Sequence, residues 1–240
     1  LLSYGITSLQ DAGHANGMHR WDTLKRLIHS GRLQTRTTMM LSNRSAPEFY
    51  NAGMQFGSGD LFLRLGHVKQ MLTASTGTFL PGLNDLIYNI KVAHSMNFPV
   101  AIHAVEEEAI LIASLALTDV TCHSLEVPDR IEHCSEAPDH IRQAVRHCRA
   151  TVVTQPGFLY WRGDHYQELA EAESLYPIEA LQELGIPVAF SSDAPIIDPN
   201  PWIGIRAMAE KSIQHILTLN RADILNNPKI VRAIYAYTLA

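Results

Sequence analysis

The sequence predicts an α/β protein built as a (β/α)8 TIM-like barrel, and three observations carry that expectation. Strand-like runs recur at residues 5–10, 35–41, 63–71, 99–103, 130–133, 151–154 and 186–191, seven in all. Helical patterns lie between them, at 18–30, 84–96, 106–117, 138–148 and 177–184, and such alternation means a parallel sheet. The length, 240 residues, suits a barrel of roughly 250. A doubly wound sheet is the runner-up, but the chain carries neither a GxGxxG nor a GxxxxGK[ST] phosphate loop.

Taken in order, the first run ends in "QDAGH", a turn that offers Asp11 and His14 to the strand tips. "PEFYNAGMQFGSGD" reads as a helix followed by a Gly-rich turn, without chemistry. "LRLGHVKQML" is an apolar strand that carries Lys69, and "FPVAIHA" ends on His103. "AILIASLALT" is the longest apolar stretch. It falls short of the roughly 18 residues a bilayer span needs, so it reads as a buried helix. "DRIEHC" ends on His133, and "VVTQPGFLYWRGDHY" passes from a strand into an aromatic loop. The last strand begins after Gly185 and ends in "VAFSSDAP", with Asp193 at its tip. "IVRAIYAYTLA" is an apolar helical pattern without a Gly or Asn stop.

Composition narrows the function classes. With 46% hydrophobic and 18% charged residues, the chain suits one α/β domain over residues 1–240, with no internal boundary. A formal net charge of -5 leaves no basic stripe, which argues against nucleic acid or an anionic membrane and for a small-molecule substrate. Cys122, Cys134 and Cys148 are few and lack CxxC spacing, so a reducing, cytoplasmic compartment is expected. The start "LLSYGITSLQ" has no initiator Met and no basic leader region, which suggests a fragment.

Four strand tips or interiors thus carry Lys69, His103, His133 and Asp193, and a barrel turns the C-terminal strand ends toward one face. Each has a plain structural explanation. A histidine at a strand end can be a hydrogen-bonded, half-buried residue, Lys69 can snorkel to the barrel mouth, and Asp193 can cap a turn. Together they suggest more. Two neutral imidazoles and a carboxylate suit a hydrolytic divalent metal that acidifies water to a pKa of about 7, with a carboxylate such as Asp193 to shuttle protons. A lysine between Val68 and Met71 is costly to bury unless paired or neutralised.

"GITSLQDAG", "GHVKQMLTASTG", "FPVAIHAVEEEA", "DRIEHCSEAP", "VVTQPGFLYWRGD" and "IPVAFSSDAPIIDPNPWIGI" together resemble the metal-dependent amidohydrolase superfamily, in the branch that includes N-substituted formamide deformylase. The resemblance covers essentially the whole chain. It implies a distorted barrel with one or two divalent ions, usually zinc, and hydrolysis of an amide-like C–N bond. It also implies that Lys69 can be carboxylated by CO2 to a bridging carbamate and that His103 and His133 hold the second metal. Asp193 becomes a ligand of the first metal and the catalytic general base and acid.

The departures from that family are specific. No His-x-His occurs, although the family carries one on its first barrel strand, and "QMLTASTG" replaces the acidic residue and glycine that often follow the lysine. The expectation is therefore a barrel lacking its first strand and the flanking β-sandwich. Such a loss would leave apolar surface able to drive homo-oligomer formation. Tyr160, Trp161 and Arg162 are the substrate-binding candidates, with an aromatic plug as the plain alternative for Trp161. Cys134 is taken as structural. Besides a C–N hydrolase, two readings stay open: a Lys69 Schiff-base lyase or aldolase, and a non-catalytic barrel that binds metal or ligand without turnover.

Overall fold

The computed structural model describes residues 1–75, 78–120, 125, 127–161, 174–209 and 227–238. Apolar runs bounded by turn residues become strands β1 (Ser8–Asp11), β2 (Arg36–Ser42), β3 (Leu63–Met71), β6 (Val100–Ala104), β7 (Arg130–His133), β8 (Thr151–Thr154) and β9 (Val188–Phe190). These seven pair in that order into one sheet, and every pairing is parallel. Strands covered on both faces need not alternate polar and apolar residues, and β3 is buried from Leu65 to Gln70.

Among the described residues, helices cover the outside of the sheet. They are α1 (Met18–His29), α2 (Ala46–Asn51), α3 (Leu83–Ser95), α4 (Glu107–Asp119), α5 (Asp139–Cys148), α6 (Gly157–Trp161), α7 (Ile178–Glu183), α8 (Pro201–Ala209) and α9 (Pro228–Thr238). In α5 the buried residues Ile141, Val145 and Cys148 fall at the i, i+4, i+7 spacing that makes one apolar stripe. The stretch singled out for its apolarity, α4, buries Ala109, Ile110, Ala113, Ser114, Ala116 and Leu117 and packs between α3 and α5. No helix among the described residues is long and apolar enough to cross a membrane.

The sheet is curled rather than flat. Strands β1 and β7 stand four places apart in the sheet order, a separation of about 19 Å if the sheet were flat. Yet the Arg130 guanidinium of β7 donates to the Gln10 side-chain oxygen of β1 at 2.7 Å. Only a barrel-like arc brings those two side chains together. Directly before Arg130, Asp129 ties the start of β7 to β6 and α3: its carboxylate accepts from the Val100 backbone N–H at 2.8 Å and pairs with His94 at 3.0 Å.

All seven expected strands are present, with ends shifted by one to three residues in β1, β2, β6 and β9. Residues 5–7 are not strand, because a short 3-10 turn (Leu2–Tyr4) closes on Gly5 at φ 81, a left-handed conformation favourable for glycine. A hairpin that the sequence reading lacked follows Lys69's strand, formed by β4 (Thr73–Ser75) and β5 (Thr78–Leu80). Its first strand lies within the "QMLTASTG" segment, where the sequence departs from the family pattern, and its second follows directly after that segment.

Candidate active site

Lys69, His103 and His133 come from β3, β6 and β7, and Asp193 from just beyond the end of β9. Register puts Lys69 and His103 on one face, and the left-handed backbone at the end of β7 brings the His133 ring to the same place. Lys69 sits opposite Ala101, two residues before His103, and Ala104 sits opposite His133. The His103 and His133 rings meet edge to face with centroids 4.5 Å apart. His133 and Asp193 adopt φ 73 and φ 56, a left-handed backbone unusual for residues with a Cβ, and each stands where a strand gives way to a loop.

Burial sets their protonation. It pushes His103 down to about 4, with His133 and Lys69 adding positive influence that lowers it further. His133 is also lowered by burial, opposed by its hydrogen bond to Gln155. Both rings are therefore neutral near pH 7, each with a nitrogen lone pair. Burial lowers the Lys69 ammonium too, against an opposing pull from Glu132. Asp193 stands exposed on the rim, yet desolvation by the surrounding loops raises its carboxyl, while Lys69 and His103 draw it back down. The four groups thus sense one another's charge.

Their polar ends are not used up by packing. Among the described residues no hydrogen bond or ion pair engages the Lys69 amine, either His103 ring nitrogen or the Asp193 carboxylate. An amine, an imidazole and a carboxylate left without protein partners beside one another are free to take an ion or ligand. No three His, Cys, Asp or Glu side chains among the described residues stand close enough to hold an ion by themselves. Lys69 would have to join His103 and His133 in holding one.

Beneath these groups lies a buried ionic layer that the sequence reading missed. The Arg130 Nε donates to Glu132 Oε1 at 2.9 Å, and both side chains are largely enclosed. The signal was present in "DRIEHC": alternation puts Arg130 and Glu132 on the inner face of one strand.

Other expected residues fare differently. The Asp11 carboxylate is already engaged, by Arg20 at 2.7 Å, Asn16 at 3.0 Å and the Gly13 N–H at 3.1 Å, so it anchors the first loop. The segment read as an aromatic loop begins as helix α6, directly after β8, because Phe158 and Leu159 donate back to Gln155 and Pro156. Tyr160 and Trp161 close that helix, while Arg162 lies outside the described residues. Cys134 is fully buried with its thiol pushed up to about 12, which leaves no thiolate for nucleophilic work. Cys122 lies outside the described residues.

Gly157 lets α6 approach the last strand's loop. A Cβ there would lie 2.6 Å from the Ile197 Cδ1, beside the stacked Phe158 and Tyr176 rings. A Gly157→Ala chain is expected to lose about 1 kcal/mol of stability, the low end for overpacking, because the Ile197 methyl can partly yield. Urea unfolding would check this, and an unchanged midpoint would mean that the contact carries no strain.

A curled parallel sheet with polar groups gathered at the C-terminal strand ends defines the barrel class to which metal-dependent hydrolases belong. The chain belongs to the amidohydrolase family, whose sequence pattern it matches over residues 1–237. Its fold is similar to that of an uncharacterised metal-dependent hydrolase from Pyrococcus horikoshii, with a TM-score of 0.79 and 20% identity over 99% of this chain and 51% of that one. A counterpart from Pyrococcus furiosus gives 0.78 and 21%, covering 98% of this chain and 51% of that one. A Xaa-Pro dipeptidase with bound methionine aligns with a TM-score of 0.55 and 15% identity, over 96% of this chain and 65% of that one. This chain spans about half the length of the first two structures. None of the curated proteins matches it in sequence.

Proposed function

We propose that the protein is a metal-dependent hydrolase of an amide-like, non-peptide C–N bond in a small molecule, of the N-substituted formamide deformylase kind. The observation that carries this reading is the convergence of Lys69, His103, His133 and Asp193, with the Lys69 amine, both His103 ring nitrogens, the His133 Nε2 and the Asp193 carboxylate free of hydrogen bonds among the described residues. Two neutral imidazoles offer lone pairs to a divalent ion, zinc by preference. A neutral Lys69 amine can add CO2, release a proton and present an anionic carbamate oxygen beside them. An ion held there supplies a water acidified toward neutral pH.

The chain's own residues do the remaining work. The Asp193 carboxylate takes a proton from the water and returns it to the nitrogen of the breaking C–N bond, so that an amine leaves. A formamide then yields an amine and formate, with one water consumed. Tyr160, Trp161 and Arg162 are proposed to orient the substrate from the end of α6 and the residue after it. The free, buried Cys134 and Cys148 agree with a cytoplasmic home. A Schiff base on Lys69 would draw on the same lowered ammonium, but it leaves the two histidines and Asp193 without a part.

The test is hydrolysis of a panel of N-substituted formamides and Xaa-Pro dipeptides by the zinc-loaded protein, read as release of free amine. Formamide turnover that His133→Ala loses supports the reading. Full activity in His133→Ala would sink it, and zinc binding without turnover would leave a non-catalytic barrel.

A further inference from the structure

Gln155 is 1% exposed, directly after β8, and touches three strand ends at once. Its Oε1 lies 2.8 Å from His133 Nδ1 on β7. Its Nε2 donates to the Ser191 Oγ after β9 at 3.0 Å and to the backbone carbonyl of Val153 at 3.3 Å. A backbone carbonyl can only accept, so the Gln155 nitrogen must face Val153 and its oxygen must face His133. An oxygen there can only accept from the ring. His133 Nδ1 therefore carries the proton, and its Nε2 keeps the lone pair.

We infer that Gln155 is a positioning residue that fixes His133 in the Nδ1–H tautomer and aims its Nε2 lone pair into the site, with Ser191 and the Val153 carbonyl locking the amide. This rests on the reading of His133 as a metal-binding residue. The device also answers a local problem. His133 holds a left-handed backbone at φ 73, and a partly buried hydrogen bond from its ring opposes any swing away from the site. A hydrogen-bonded partner on the far ring nitrogen both orients an imidazole and strengthens its free nitrogen as a donor.

The experiment is side-chain nitrogen NMR on the metal-free, 15N-labelled chain at pH about 8, where neutral imidazoles dominate, with the His133 signal assigned by its loss in His133→Ala. The Nδ1–H pattern is expected in the parent and in Gln155→Glu, which keeps an accepting oxygen. Gln155→Met should show mixed tautomers and bind zinc about 10–100-fold more weakly, with Gln155→Glu restoring most of that loss. An Nε2–H pattern in the parent overturns the inference, and that measurement needs no variant to fold. Unchanged tautomer and zinc affinity in Gln155→Met overturn it as well. Should the parent show the Nδ1–H pattern yet bind no zinc, the metal reading fails and the positioning role of Gln155 stands.

Discussion

Lys69→Met and His103→Ala chains are expected to lose the divalent ion that the parent retains, close to one per chain, when all are purified without chelator and measured by elemental analysis. The loss should exceed the about 10–100-fold that a missing supporting hydrogen bond costs a metal site, because a ligand itself has gone. The Lys69 variant separates this from a folding defect. Lys69 is buried and its amine makes no hydrogen bond or ion pair among the described residues, with only longer-range attraction from Glu132 and Asp193, so an apolar chain of similar length breaks no direct contact and lowers the cost of burial. Stability should hold or rise while metal disappears. Full metal content in both variants would remove these two residues from the site, and no metal in the parent would favour the non-catalytic reading.

Arg130→Ala is expected to cost about 3–5 kcal/mol, the usual loss when one partner of a buried pair is removed. Two consequences add. The Glu132 carboxylate, 5% exposed, loses its counter-charge, and Gln10 loses the donor that spans the arc from β7 to β1. Because Glu132 precedes His133, the damage should also reach the metal site. A double variant, Arg130→Met with Glu132→Leu, should recover much of the stability, since an apolar pair of similar volume is often neutral. Urea unfolding of the three chains tests this. An Arg130→Ala chain as stable as the parent would mean that water replaces the ion pair without cost.

Much of the architecture was legible from residue order. Seven strand runs, the helices between them and the placement of His103 and His133 at strand ends follow from hydrophobic periodicity, which is local to a few residues. The β4–β5 hairpin escaped notice because its two strands have three residues each, too short for alternation to stand out. Helix α6 was hidden for a related reason, since its five residues include three aromatics that read equally well as a loop.

The supporting residues of the site were harder to find. Nothing in "VTQPG" says that Gln155 reaches His133, 22 residues earlier, or Ser191, 36 residues later. Likewise, "SLQDAG" gives no sign that Gln10 accepts from Arg130, 120 positions away. Asp11 shows the reverse case. It looked free for chemistry, and the Arg20 guanidinium and Asn16 amide occupy it.

The chain's own order of residues determined the strands, their parallel pairing and the kinds of side chain at their tips, because apolar period and turn chemistry act over short distances. Folding in three dimensions decided which of those side chains meet. The curl of the sheet joins β1 to β7, and the left-handed turns at His133 and Asp193 re-aim their side chains. Burial then lowers the protonation of both histidines and Lys69. Such effects depend on register, curvature and desolvation, and those arise only once distant strands have packed together.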